Sequence, residues 1–298
     1  MNTSLIAAVR TVLPGIAITL TTIFPSFGQA IHRKMMIGAD AVPKVFLQEG
    51  VSVPNDQSSL SFTPDGKTVY LSDNNVIVVS KLVDGHWSRP KPISVSGHWK
   101  DWDATLSPDG KRLVFVSNRP LEDAPQDKPQ KDNHLWESKQ LSGENWSAPR
   151  HLDSPVNEKG VNAYAPSISK TGSLCFCSRD RDGHKGMGGY YTKWLGDHYD
   201  KPQLLSLNGD KDVFDPFISP DERYIIFVSE GDLYISYRRN NQWQAGEKLS
   251  ARVNDGAKMN DPYVSPDGKM LYYSSSRTQG ILMIPVNLDV PAQPGQKP

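Results

Sequence analysis

Apolar residues along this chain fall in short runs rich in Val, Ile, Leu, Tyr and Phe, punctuated by Gly, Pro, Asp and Asn, and long stretches with helical spacing are hard to find. Five of these runs carry one pattern: SFTPDGKTVYLSD from Ser61, TLSPDGKRLVFVSNR from Thr105, SISKTGSLCFCSRD from Ser167, FISPDERYIIFVSE from Phe217 and YVSPDGKMLYYSSSR from Tyr263. Their Ser/Thr anchors, Thr63, Ser107, Ser169, Ser219 and Ser265, are spaced by 44, 62, 50 and 46 residues, the longest gap holding a polar, Pro-rich insertion from Pro120 to Asn133. In each copy an apolar run enters a tight turn, where Gly supplies a positive φ, and leaves on a second apolar strand, which predicts a β-hairpin. The first and third copies align best with one residue deleted after the Gly.

Downstream of four copies stand Trp87, Trp146, Tyr199 and Trp243, each followed six residues later by an aliphatic residue, namely Ile93, Leu152, Leu205 and Leu249. A second hairpin per unit follows, hence four strands, and repeated four-stranded units predict an all-β, five-bladed β-propeller of antiparallel blades. The fifth unit lacks an outer strand. Lys44-Val45-Phe46-Leu47, ahead of the first hairpin, offers it, so the ring is expected to close through an N-terminal strand. The four repeated aromatics are expected to pack between blades.

Composition adds the compartment. Arg10, the apolar stretch from Thr11 to Phe24 and the small-residue ending Gly28-Gln29-Ala30 read as a secretory signal cleaved after Ala30, too short and too interrupted by Pro14 and Gly15 for a stable membrane span. The expected organisation is therefore a signal peptide over 1–30, one propeller over 31–290 and a disordered, Pro-rich tail over 291–298, in the periplasm or outside the cell. A formal net charge of zero gives no sign of nucleic-acid binding, and a monomer is expected. Cys175 and Cys177, two apart on a strand, are too far apart for a relaxed disulfide and read as buried hydrophobes. The seven histidines show no metal-ligand spacing, so neither metal nor cofactor is expected.

The Ser-Pro-Asp-Gly-Lys blocks, with Trp-x-x-Pro between them, resemble the TolB-like, WD-repeat-like propellers of bacterial envelopes over nearly all of residues 44 to 288. That resemblance implies a binding or scaffolding propeller without naming its ligand; the expected partner is an envelope protein or a glycan. TolB itself carries an α/β domain ahead of its propeller, for which residues 31 to 60 are too few, so its role in the Tol-Pal complex is not implied.

Propeller strand order brings the entrances to the first strands and the loops between strands two and three onto one rim. Asp103, Asp215 and Asp261 occupy equivalent entrances and are expected to face a shared opening lined with Arg119 and Arg277, with Arg179 on a companion loop. Trp99, Trp102 and Tyr164 could stack on sugar rings, and the three carboxylates could supply the acid and base of a glycoside hydrolase or lyase. The competing reading is structural: repeated Asp and Arg commonly bond blade to blade or cap loop amides. Departures from the repeat are further candidates: His98 to Trp102, the insertion with Lys128, Lys131 and His134, and the Gly-rich loop 181–189, a poor phosphate site because it opens no helix.

Overall fold

The computed structural model describes residues 35–46 and 59–288. The signal segment and the tail therefore lie outside the described residues, as does Leu47. Five antiparallel sheets form a ring with no helix among the described residues, the five-bladed arrangement expected from the repeat.

Blade one comprises Leu60–Phe62, Thr68–Asp73, Val76–Val83 and an outer strand in two pieces, His86–Trp87 and Lys91–Pro92. Blade two follows with Asp101–Leu106, Arg112–Ser117, His134–Ser142 and the pieces Asn145–Trp146 and Arg150–His151, and blade three with Ala163–Ile168, Leu174–Arg179, Met187–Thr192 and Gln203–Leu204. Phe214–Ile218, Tyr224–Ser229, Asp232–Arg239, Gln242–Trp243 and Glu247–Lys248 make blade four. Met259–Val264, Met270–Ser275 and Thr278–Pro285 make blade five, and Lys44–Val45 supplies its outer strand, with Lys44 opposite Met283 and Val45 opposite Leu282.

The turns explain why the repeat folds so regularly. In blade two Ser107 Oγ donates to Asp109 Oδ1 (2.6 Å), which also accepts the Lys111 amide (3.1 Å), while Gly110 takes a φ of 74°. Asp65 and Asp267 repeat this beside Thr63 and Ser265. The anchor amide bonds the carbonyl five residues on in copies one, two, four and five (Thr63 to Thr68, Ser107 to Arg112, Ser219 to Tyr224, Ser265 to Met270) but four on in copy three, Ser169 to Ser173. The one-residue deletion therefore belongs to the third copy alone.

Each repeated aromatic leans on the preceding blade: Trp146 on Tyr70 (5.9 Å between centroids), Trp243 on Tyr191 (6.4 Å), and the Tyr199 hydroxyl accepts from Arg112 Nη2 at 2.8 Å. Trp87 packs on Phe46, the residue after the closing strand. Cys175 and Cys177 are free and buried in the second strand of blade three.

Candidate functional site

The site begins as a backbone irregularity. In blades two to five the inner strand breaks register just where Asp103, Ala165, Asp215 and Asp261 stand, at left-handed φ values of 48°, 46°, 47° and 51°. Such conformations are uncommon for non-glycine residues and cluster at functional sites. Repeated around the ring, the bulge sets its residue toward the axis; Ser59 takes the corresponding place in blade one. Together these five line a waist of about 50 Å³, room for a few waters.

Asp103 Oδ2 accepts the Ala165 amide at 3.1 Å and Asp215 Oδ2 the Asp261 amide at 3.2 Å, so two carboxylates tie their own blade to the next. Both groups are half-buried where the channel narrows. Burial, then the nearby charge of Asp215, pushes the Asp103 carboxyl up to about 7; burial raises Asp215 as well.

The sign for stability follows. Between the ordinary carboxylate value and about 7 the folded chain holds a proton that the unfolded chain has released, so this group costs stability as pH rises across that window. Asp103→Asn is expected to remove that slope and raise stability at pH 8 relative to pH 5 by on the order of 1–3 kcal/mol, read from urea unfolding at both pH values. An unchanged slope would show that Asp103 titrates normally.

Above the waist the channel opens into a cavity of about 540 Å³ lined by Trp102, Tyr164 and Phe214, with Asn75, Arg179, Asn260, Met187 and Cys177 and the three aspartates beneath. Below it lies an apolar mouth of about 190 Å³ ringed by Phe62, Leu106, Ile168, Ile218 and Val264. Of the residues expected from sequence, the structure thus brings together Trp102, Asp103, Tyr164, Arg179, Asp215 and Asp261. The Arg179 guanidinium meets no ion-pair or hydrogen-bond partner among the described residues.

Three expected residues stand elsewhere. Arg119 is buried against Asp101 Oδ1 (2.6 Å) and the Val95 carbonyl (3.2 Å), and Arg277 reaches Asp255 Oδ2 (2.7 Å) on the exposed surface. Each is captured by a carboxylate nearer than the ring, so the opening is not lined by these arginines and the aspartates are not neutralised by them. Trp99 sits half-buried in the loop before Asp101–Leu106, edge-on to His98, outside the cavity lining. Phe214, Asn75 and Asn260 were not singled out by the sequence. The position before each bulge, Trp102, Tyr164, Phe214 and Asn260, was the available signal.

No protein-family model and no curated protein matches this sequence. Solved structures share its architecture. TolB of Agrobacterium tumefaciens, so described, is 20% identical, with 73% of this chain covering 69% of that one at a TM-score of 0.50. A protein of unknown function from Dyadobacter fermentans is 11% identical over 85% of this chain and 99% of that chain, with a TM-score of 0.52. At these identities what is shared is the fold.

Proposed function

We propose that this TolB-like β-propeller is an exported binding protein that takes a segment of an envelope protein or a glycan into its upper cavity. The observation that carries this reading is the convergence of Trp102, Tyr164 and Phe214 with Arg179, unpaired among the described residues, around about 540 Å³ of open volume, a size typical of ligand pockets. The aromatic faces offer stacking surface, Arg179 a charged donor, and Asn75 and Asn260 orienting hydrogen bonds. The signal-like N-terminal segment supports export; no described helix is long and apolar enough to cross a membrane.

A second reading, a carbohydrate-active enzyme, draws on one observation: Asp103 and Asp215 both line the waist and burial raises both carboxyls, as the acid of a carboxylate pair requires. The binding reading is preferred because each of these carboxylates is engaged by the backbone amide of the next blade.

Trp102→Ala and Arg179→Ala should each weaken, by roughly tenfold or more, whichever oligosaccharide or peptide calorimetry finds to bind. Lys269→Ala, on a groove at the opposite face, should leave that affinity unchanged. Wild-type affinity in both cavity variants would rule the cavity out as the binding site.

A further inference from the structure

Blade two contains a hydrogen-bonded histidine pair, buried at His134 and reaching the surface at Asp153, that the reading above leaves unused. His134 opens its third strand and His151 closes its outer strand. His151 Nδ1 lies 3.0 Å from Asp153 Oδ1, so that nitrogen carries the proton and Nε2 is left as an acceptor. Two groups face that acceptor, His134 Nδ1 at 2.9 Å and Asn157 Nδ2 at 3.2 Å. Asn157 cannot turn its carboxamide around: Oδ1 accepts the Leu135 amide (2.9 Å) and Nδ2 donates to the Leu135 and Leu152 carbonyls. With the His151 Nδ1 proton directed at Asp153, the contact is satisfied when His134 carries its proton on Nδ1. Its Nε2 is then a bare lone pair, and that atom is indeed buried without a hydrogen-bond partner.

An added proton has no good place in this arrangement. On His151 Nε2 it would meet the His134 Nδ1 proton; on His134 Nε2 it would be a buried charge. Asp132 and the Glu158 carbonyl favour that charge, but burial first, and then His151, hold the His134 ring below the usual histidine range. The remaining charged neighbours are engaged elsewhere. Glu158 holds Arg181 at 2.8 Å, and Arg119, over the Trp136 ring at 5.4 Å, holds Asp101. Asp153 caps the outer end of the pair.

The pair reaches the cavity through the residue beside it. Asn133 donates its amide to Asn162 Oδ1 (2.7 Å), accepts the Ala163 amide (2.9 Å) and donates from Nδ2 to the Tyr164 hydroxyl (3.3 Å). Tyr164 is a wall of the upper cavity.

We infer that His134 and His151 are positioning residues whose hydrogen-bonded pair, with His134 uncharged, holds the Asn133–Tyr164 stitch and so the cavity wall, and that mild acid releases it. Because the folded His134 pKa lies below its unfolded value, the contribution is complete above the ordinary histidine range and is lost as pH falls. The inference rests on the cavity reading only for its consequence; its test needs no ligand, so either can fail alone.

Blade four supplies an internal control. Asn254 there accepts the Leu233 amide and donates to the Leu233 and Leu249 carbonyls, the same bridge without a histidine pair. Hydrogen exchange of the full chain at pH 7.5 and 5.5, corrected for intrinsic rates, should show residues 152–164 losing roughly tenfold protection relative to residues 249–259. His134→Asn places an amide donor at the Nδ1 position and cannot titrate; His151→Gln places an acceptor at Nε2. The differential loss should vanish in each variant that folds. Equal changes in the two loops of the wild type, or the wild-type loss persisting in either variant, would overturn the inference.

Discussion

Phe46→Ala is expected to lower the unfolding free energy by about 3–5 kcal/mol, among the largest effects available to a single side chain. Phe46 is 7% exposed and sits edge-on to three rings: Phe62 at 5.7 Å, Trp87 at 5.6 Å and Tyr272 at 5.1 Å. Tyr272 belongs to blade five, the other two to blade one, so Phe46 plugs the seam where the ring closes. The strand before it is only two residues long. Two-residue pairing adds little by itself, so the seam rests on the apolar cluster centred on Phe46, together with Phe62, whose ring meets Tyr272 (5.1 Å) and whose amide donates to the Tyr263 hydroxyl (3.2 Å). Guanidinium unfolding should show a lower midpoint with an unchanged slope. A loss below about 1 kcal/mol would mean that the seam collapses around the missing ring or is held elsewhere.

Glu222→Ala is expected to cost a similar amount, about 3–5 kcal/mol, for an electrostatic reason. Glu222 stands in the fourth turn where the four other copies have Gly, with a φ of 57°, and turns its carboxylate inward. It accepts from Ser169 Oγ (2.8 Å), Thr171 Oγ1 (2.5 Å), the Tyr191 hydroxyl (2.9 Å) and Arg238 Nη1 (2.7 Å), joining blade three to blade four. Burial pushes this carboxyl up, but the hydroxyl donors outweigh it and hold the group below the usual glutamate range. Its stabilisation is therefore present above that range and disappears as pH falls through the lowered value. Unfolding at pH 7 should show the full loss, and at pH 3 a smaller one; an equal loss at both would mean that packing, not charge, is what the carboxylate supplies.

The contrast between these two residues shows how far the sequence could be read. Phe46 lies in a segment whose role follows from counting strands: the fifth unit lacked one and the N-terminal run could supply it. Glu222 looked like a departure from the turn pattern, and nothing local announces partners as distant in sequence as Ser169 and Tyr191. The candidate site divides in the same way. The three aspartates recur at one repeat position, so their convergence on the axis was legible. The bulge that turns them inward is a backbone event, visible only as the recurring Asp/Ala position, followed by proline in three of four blades. Arg119 and Arg277 also occupy repeat positions facing the opening, but long guanidinium side chains follow the nearest carboxylate, and Asp101 and Asp255 intercept them.

The most direct test of the binding account is thermal unfolding of the protein across a panel of cell-wall oligosaccharides and envelope-derived peptides, with each well then checked by mass spectrometry. A ligand that prefers the folded state must raise the midpoint. The account predicts a shift with an intact ligand, lost in Arg179→Ala. Cleaved products that disappear in Asp215→Asn would contradict it and establish the propeller as an enzyme.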